Sequence, residues 1–103
     1  MSLQLMWVAA HLPADTVDAY QKLALMQICD MSNDDGYTGE PSVAGVAAWT
    51  GVPPKRAARI VAELATKGLL ERVRTRGAGA EVADEYRVFP QGVPAVVMDG
   101  GAW

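Results

Sequence analysis

The sequence predicts a mainly α fold closed by a small β-hairpin, and three observations predict it. Two stretches, "DTVDAYQKLALMQICDMS" and "KRAARIVAELATK", carry apolar residues at helical spacing or nearly all round. Two later stretches, "LLERVRTR" and "EYRVF", alternate between faces and flank a Gly-rich "GAGA". Turn-forming clusters separate the helices, Asn33-Asp34-Asp35-Gly36 in one place and Gly51-Val52-Pro53-Pro54 in another. The expected order is helix, helix, turn, helix, hairpin. A chain of 103 residues suits one domain. That domain is expected at residues 15–90, between an apolar segment at 1–14 and a tail at 91–103.

Asp15 is the expected cap of the first helix, with Asp18 three residues on and acids suited to its first turn. Asp18 and Lys22 share a face. Leu23, Ala24, Leu25, Met26 and Ile28 make this helix apolar almost all round, so it belongs in the middle of a small fold. The acidic stretch "CDMSNDDGYTGEPS" follows. A calcium loop centred on Gly36 would put Met31 first and Ser42 twelfth, where carboxylates belong. The stretch therefore reads as a turn that binds no calcium.

Pro41-Ser42 opens a short helix, "SVAGVAAWT", which Gly51 closes. Trp49 on this helix is expected to cover the edge of the core, the alternative being contact with a partner. Pro54 suits the first position of the third helix, where its missing N–H costs nothing. Ala57, Ile60, Val61 and Leu64 form the apolar stripe of that helix, while Lys55, Arg56, Arg59, Ala62 and Glu63 face away. Gly68 ends it, and Leu69 folds back on the last turn. In the hairpin Leu70, Arg72, Arg74 and Arg76 share one parity, Tyr86 and Val88 share a face, and Pro90 closes the second strand.

Half the residues are hydrophobic and a fifth charged, the balance of a soluble globular protein. The single cysteine, Cys29, excludes an internal disulfide and fits a cytoplasmic setting. Its apolar helix predicts burial. No apolar run approaches a membrane span, and the apolar start lacks the basic residues of a signal peptide. His11 has no nearby set of metal ligands. No Gly-rich phosphate loop, zinc spacing or triad pattern is present. The expectation is a binding protein, not an enzyme, with no cofactor and no metal.

The formal net charge is −3, which argues against a generic nucleic-acid binder. The distribution says more. Seven of the nine basic residues, Lys55, Arg56, Arg59, Lys67, Arg72, Arg74 and Arg76, lie between residues 55 and 76, with only Glu63 and Glu71 among them. The flanking segments are acidic. A polyanion responds to a local basic face, not to the sum over the chain.

The element order, with "PSVAGVAAWTGVPPKRAARIVAELATKGLLERVRTRG", resembles a winged helix-turn-helix domain over roughly residues 15–90. The resemblance rests on "VAGVAAWTGVPPKRAARIVAEL", with short Ala47, a glycine at Gly51 and apolar Val52. It rests also on the passage from Leu64 to Arg72, "LATKGLLER". More narrowly, "DMSNDDGYTGEPSVAGVA" is similar to the connector of small phage and mobile-element winged-helix proteins. Some of those are regulators and others are N-terminal domains of replication initiators. The sequence departs from the pattern at Pro53, where a Ser or Thr is usual, and in its acidic balance.

The resemblance implies a three-helix core with a two-stranded wing. It implies a transcriptional regulator in a bacterium or its phage, with the third helix in the major groove of double-stranded DNA and the wing along the backbone. Repressor, activator, excision and replication roles all stay open. Arg56 and Arg59 on the third helix, with Lys55 beside them, are then the expected DNA contacts, arginine being suited to guanine edges, and the alternative is a solvated helix surface. Arg72, Arg74 and Arg76 would meet phosphates or a minor groove, the alternative being ordinary edge-strand charge. Ser42 would donate to a phosphate or simply cap its helix. The rival reading is a module of the same fold that docks a host or phage protein and leaves DNA alone. The apolar N-terminal segment and the tail "QGVPAVVMDGGAW" have three placements open to them: packed on the domain, exchanged with a second copy, or continuing into further chain. Apolar ends on a small domain favour a homodimer.

Overall fold

The N-terminal apolar stretch folds into a helix, α1 (Leu3–Ala10), capped by the Ser2 hydroxyl oxygen, which accepts from the Leu5 N–H at 3.2 Å. The computed structural model describes residues 1–74 and 84–94, with the backbone alone at Arg74 and Asp84. α1 packs on α2 (Ala19–Met31) and buries Leu5, Val8 and Ala9 there. Asp18, and not Asp15, caps α2. The Asp18 carboxylate accepts from Gln21 N–H at 2.8 Å, and the Gln21 side-chain oxygen accepts from Asp18 N–H at 3.0 Å. Only Asp18 has a glutamine three residues on to complete this reciprocal cap. Upstream, Thr16 and Val17 both donate to Pro13 O and fold into a separate turn.

The acidic connector makes the expected turn. Asn33 Oδ1 accepts from the N–H groups of Asp35 and Tyr37 at 3.0 and 3.1 Å, so this side chain serves the backbone. Gly36 takes φ +87°. The sequence predicts no strand here, yet Tyr37–Gly39 form β1. Ser42 then caps α3 (Val43–Thr50), accepting from Gly45 N–H at 3.0 Å, and Gly51 ends it at φ +75°. α4 (Pro54–Thr66) starts with Pro54 in its first turn and has no side-chain cap at Pro53. Its far end closes with Gly68 N–H donating to Ala65 O and Leu69 N–H to Leu64 O, at φ +76° for Gly68. That pair of bonds satisfies the last carbonyls of the helix.

β2 (Leu70–Arg74) and β3 (Asp84–Val88) pair antiparallel, with Leu70 opposite Val88 and Arg72 opposite Tyr86. β1 joins the other side of β3, Tyr37 opposite Arg87, so the sheet runs β1-β3-β2. The result, among the described residues, is four helices and a three-stranded antiparallel sheet around one core. Leu25, Ile28, Leu64 and Leu70 are its largest fully buried side chains. No helix among the described residues is long and apolar enough to cross a membrane.

Two further expectations are corrected. Trp49 remains 40% exposed, because α3 buries Val46 and partly covers Val43 and Ala47, leaving Trp49 on the flank of that stripe. Glu63 does not simply face away: it is half-buried and accepts from Gln21 Nε2 at 3.2 Å, tying α4 to α2. Most of the C-terminal tail, residues 95–103, lies outside the described residues.

Candidate nucleic-acid interface

α4 fixes the most concentrated positive charge of the described fold. Ala57, Ile60 and Leu64 bury one face, which forces Lys55, Arg56 and Arg59 outward, and all three are exposed. Lys55 and Arg56 stand in the first turn, and no acid shares it. The free N–H groups at a helix start make that end positive, so each cation there costs about 0.3–1 kcal/mol. Fold stability therefore gains nothing from this placement. What the placement creates is side-chain positive charge on the positive end of a helix, with Arg59 one turn on.

The three cations are held differently. The Arg56 guanidinium carbon lies 4.6 Å from the ring centre of Tyr20, in the first turn of α2. Lys55 and Arg59 make no hydrogen bond or ion pair with a described residue. Arg59 borders an open groove of about 310 Å³ between α4 and α2, with Gln21, Ala62, Glu63, Thr66 and Lys67. Lys67 is committed elsewhere, its Nζ donating to Thr16 O at 2.6 Å.

The remaining predicted site residues are not all gathered at α4. Ser42 caps α3 with its side-chain oxygen and borders a smaller cavity of about 160 Å³ with Gln27 and Met31, in the second half of α2. Tyr20 and Arg56 mark the first turn of α2. Tyr20 and Gln27 are two turns apart, about 10 Å along the axis at the usual helical rise. Arg72 is exposed on β2. Arg74 pairs through its backbone with Asp84, and Arg76 lies outside the described residues.

Two reactive residue types belong to the packing. Cys29 is fully buried, and desolvation pushes its thiol up to about 12. His11 donates from Nδ1 to Trp7 O at 2.8 Å with its ring against the Trp7 indole. Among the described residues no three His, Cys, Asp or Glu side chains gather as a metal would require.

Sequence reasoning missed Tyr20 and Arg87. Tyr20 meets Arg56 only once α2 and α4 pack, and nothing local announces it. Arg87 lies over the Tyr37 ring at 5.2 Å, a neighbour set by the unforeseen pairing of β1 with β3. Comparison with protein-family models, with curated proteins and with solved structures finds no match for this chain.

Proposed function

We propose that this chain is a winged helix-turn-helix protein that binds double-stranded DNA as a transcriptional regulator of a phage or bacterium. α3, the Gly51 turn and α4 would form the helix-turn-helix, and β2 and β3 the wing. α4 would enter the major groove with Arg56 and Arg59 toward base edges, and Arg72 would approach the backbone. The observation that carries this reading is the pair Lys55 and Arg56 in the first turn of α4, at its positive end with no acid beside them, and Arg59 exposed one turn on. A fold keeps charges against its own helix dipole where a partner repays them, and a phosphate polyanion does so.

Fluorescence anisotropy with a non-specific duplex, titrated with salt, tests the proposal. Binding should appear at low salt and weaken steeply as salt rises. On a duplex enriched by random-site selection, Arg56→Ala/Arg59→Ala should lose most of the preference over non-specific DNA while the protein stays folded, because both side chains are exposed. Equal binding by the folded double variant would overturn the assignment to α4.

A second reading has its own observation. Tyr20, Leu23 and Trp49 are 41%, 37% and 40% exposed and put apolar surface on α2 and α3. A protein-docking module would use it, and would show no duplex binding even at low salt.

A further inference from the structure

Resting on the DNA reading above, we infer that Tyr20 is a positioning residue that presets Arg56 for base recognition. α4 carries three exposed cations, and only Arg56 is laid on an aromatic ring, with its guanidinium carbon 4.6 Å from the Tyr20 centroid. Lys55 is a flexible point charge with no described partner, and Arg59 borders an open groove. A guanidinium over a ring uses its face for the contact and keeps the N–H groups along its edges. Those edge donors are the ones that bond guanine in a bidentate manner. Tyr20 thus restrains the Arg56 side chain, and no acceptor among the described residues takes its N–H groups.

The platform itself is fixed from below. Tyr20 lies in the first turn of α2, between Asp18 and Gln21, the two residues of its reciprocal cap. Gln21 also donates to Glu63 of α4. The ring is therefore mounted on a helix end that is hydrogen-bonded both within α2 and across to α4. An arginine held this way loses less freedom on binding than one that must be ordered by the DNA. Base discrimination should consequently concentrate at the position that Arg56 meets, and it should depend on a residue from another helix.

Random-site selection on duplex DNA, with the full chain and its variants, tests this. Tyr20→Leu removes the ring but keeps an apolar side chain and a good helix former. Tyr20 is 41% exposed, so the fold should survive, which thermal unfolding checks. Tyr20→Leu should lose about two- to fivefold in preference at one base position, the range that an exposed cation–π contact supports. Arg56→Ala should relax the same position, and adding Tyr20→Leu to it should change nothing more. Tyr20→Phe keeps the ring and should keep the preference.

Wild-type preference retained in folded Tyr20→Leu would overturn the inference and leave the DNA reading standing. So would a uniform loss over all sequences, or a loss in Tyr20→Phe equal to that in Tyr20→Leu. No duplex binding by the wild-type protein at low salt would overturn both.

Discussion

At Gly36 the backbone takes φ +87°, and a Cβ would lie 2.9 Å from the carbonyl oxygen of Val88. The atom in the way is backbone held by the sheet, and it cannot step aside as a side chain can. Gly36→Ala should therefore destabilise the protein by about 1–3 kcal/mol, read as a lower urea midpoint. An unchanged midpoint would mean that the turn is not held against β3. Cys29 gives a prediction in pH. Its thiol stands near 12 in the folded state against 9.0 for an unburied one, through desolvation. The folded value is the higher, so this contribution is complete below about pH 9 and is lost as pH rises toward 12. Wild type should lose stability with pH in this window faster than Cys29→Ala. Parallel curves from pH 9 to 11 would remove Cys29 from the account.

The elements differ in how plainly the sequence announces them. α4 was legible because its apolar stripe is clean, Pro54 opens it and Gly68 closes it. The pairing of β2 with β3 was legible from parity. α1 was not, since eight nearly all-apolar residues show no period, and its cap is a single Ser2. β1 was not, since it spans only Tyr37–Gly39 and owes its strand character to β3 across from it. The start of α2 was misplaced by three residues because two aspartates compete on propensity, and the Gln21 side chain decides between them. That cap can be tested. Asp18→Ala leaves the Gln21 N–H without its acceptor and should cost about 1 kcal/mol, while Asp15→Ala should change stability by less than about 0.5 kcal/mol. Chemical denaturation of the two variants checks the ranking, and equal effects would move the cap back toward Asp15.

For the whole molecule the deciding quantity is where charge sits, not how much there is. A chain of formal charge −3 repels DNA at long range, so the proposed binding would have to come from a local field that survives screening over a Debye length of about 8–10 Å. Lys55, Arg56 and Arg59 supply that field at the start of α4. Their clustering was legible in the sequence. The tie between Arg56 and Tyr20 was not, because it needs two helices to be packed first. Arg59 and Arg72 then differ in kind. Arg59 lies on the outer face of α4, which the proposal turns toward base edges, whereas Arg72 is exposed on the sheet, where the proposal puts a phosphate contact. Arg59→Ala should lose roughly 1–3 kcal/mol on the preferred site and relax one base position. Arg72→Ala should weaken preferred and random duplexes by the same factor and reduce the salt slope by about 1. Anisotropy titrations of both variants on both duplexes, at two or more salt concentrations, separate the roles. If Arg72→Ala selectively spared random DNA, or Arg59→Ala weakened both duplexes equally, the assignment of α4 to bases and the hairpin to phosphates would have to be reversed.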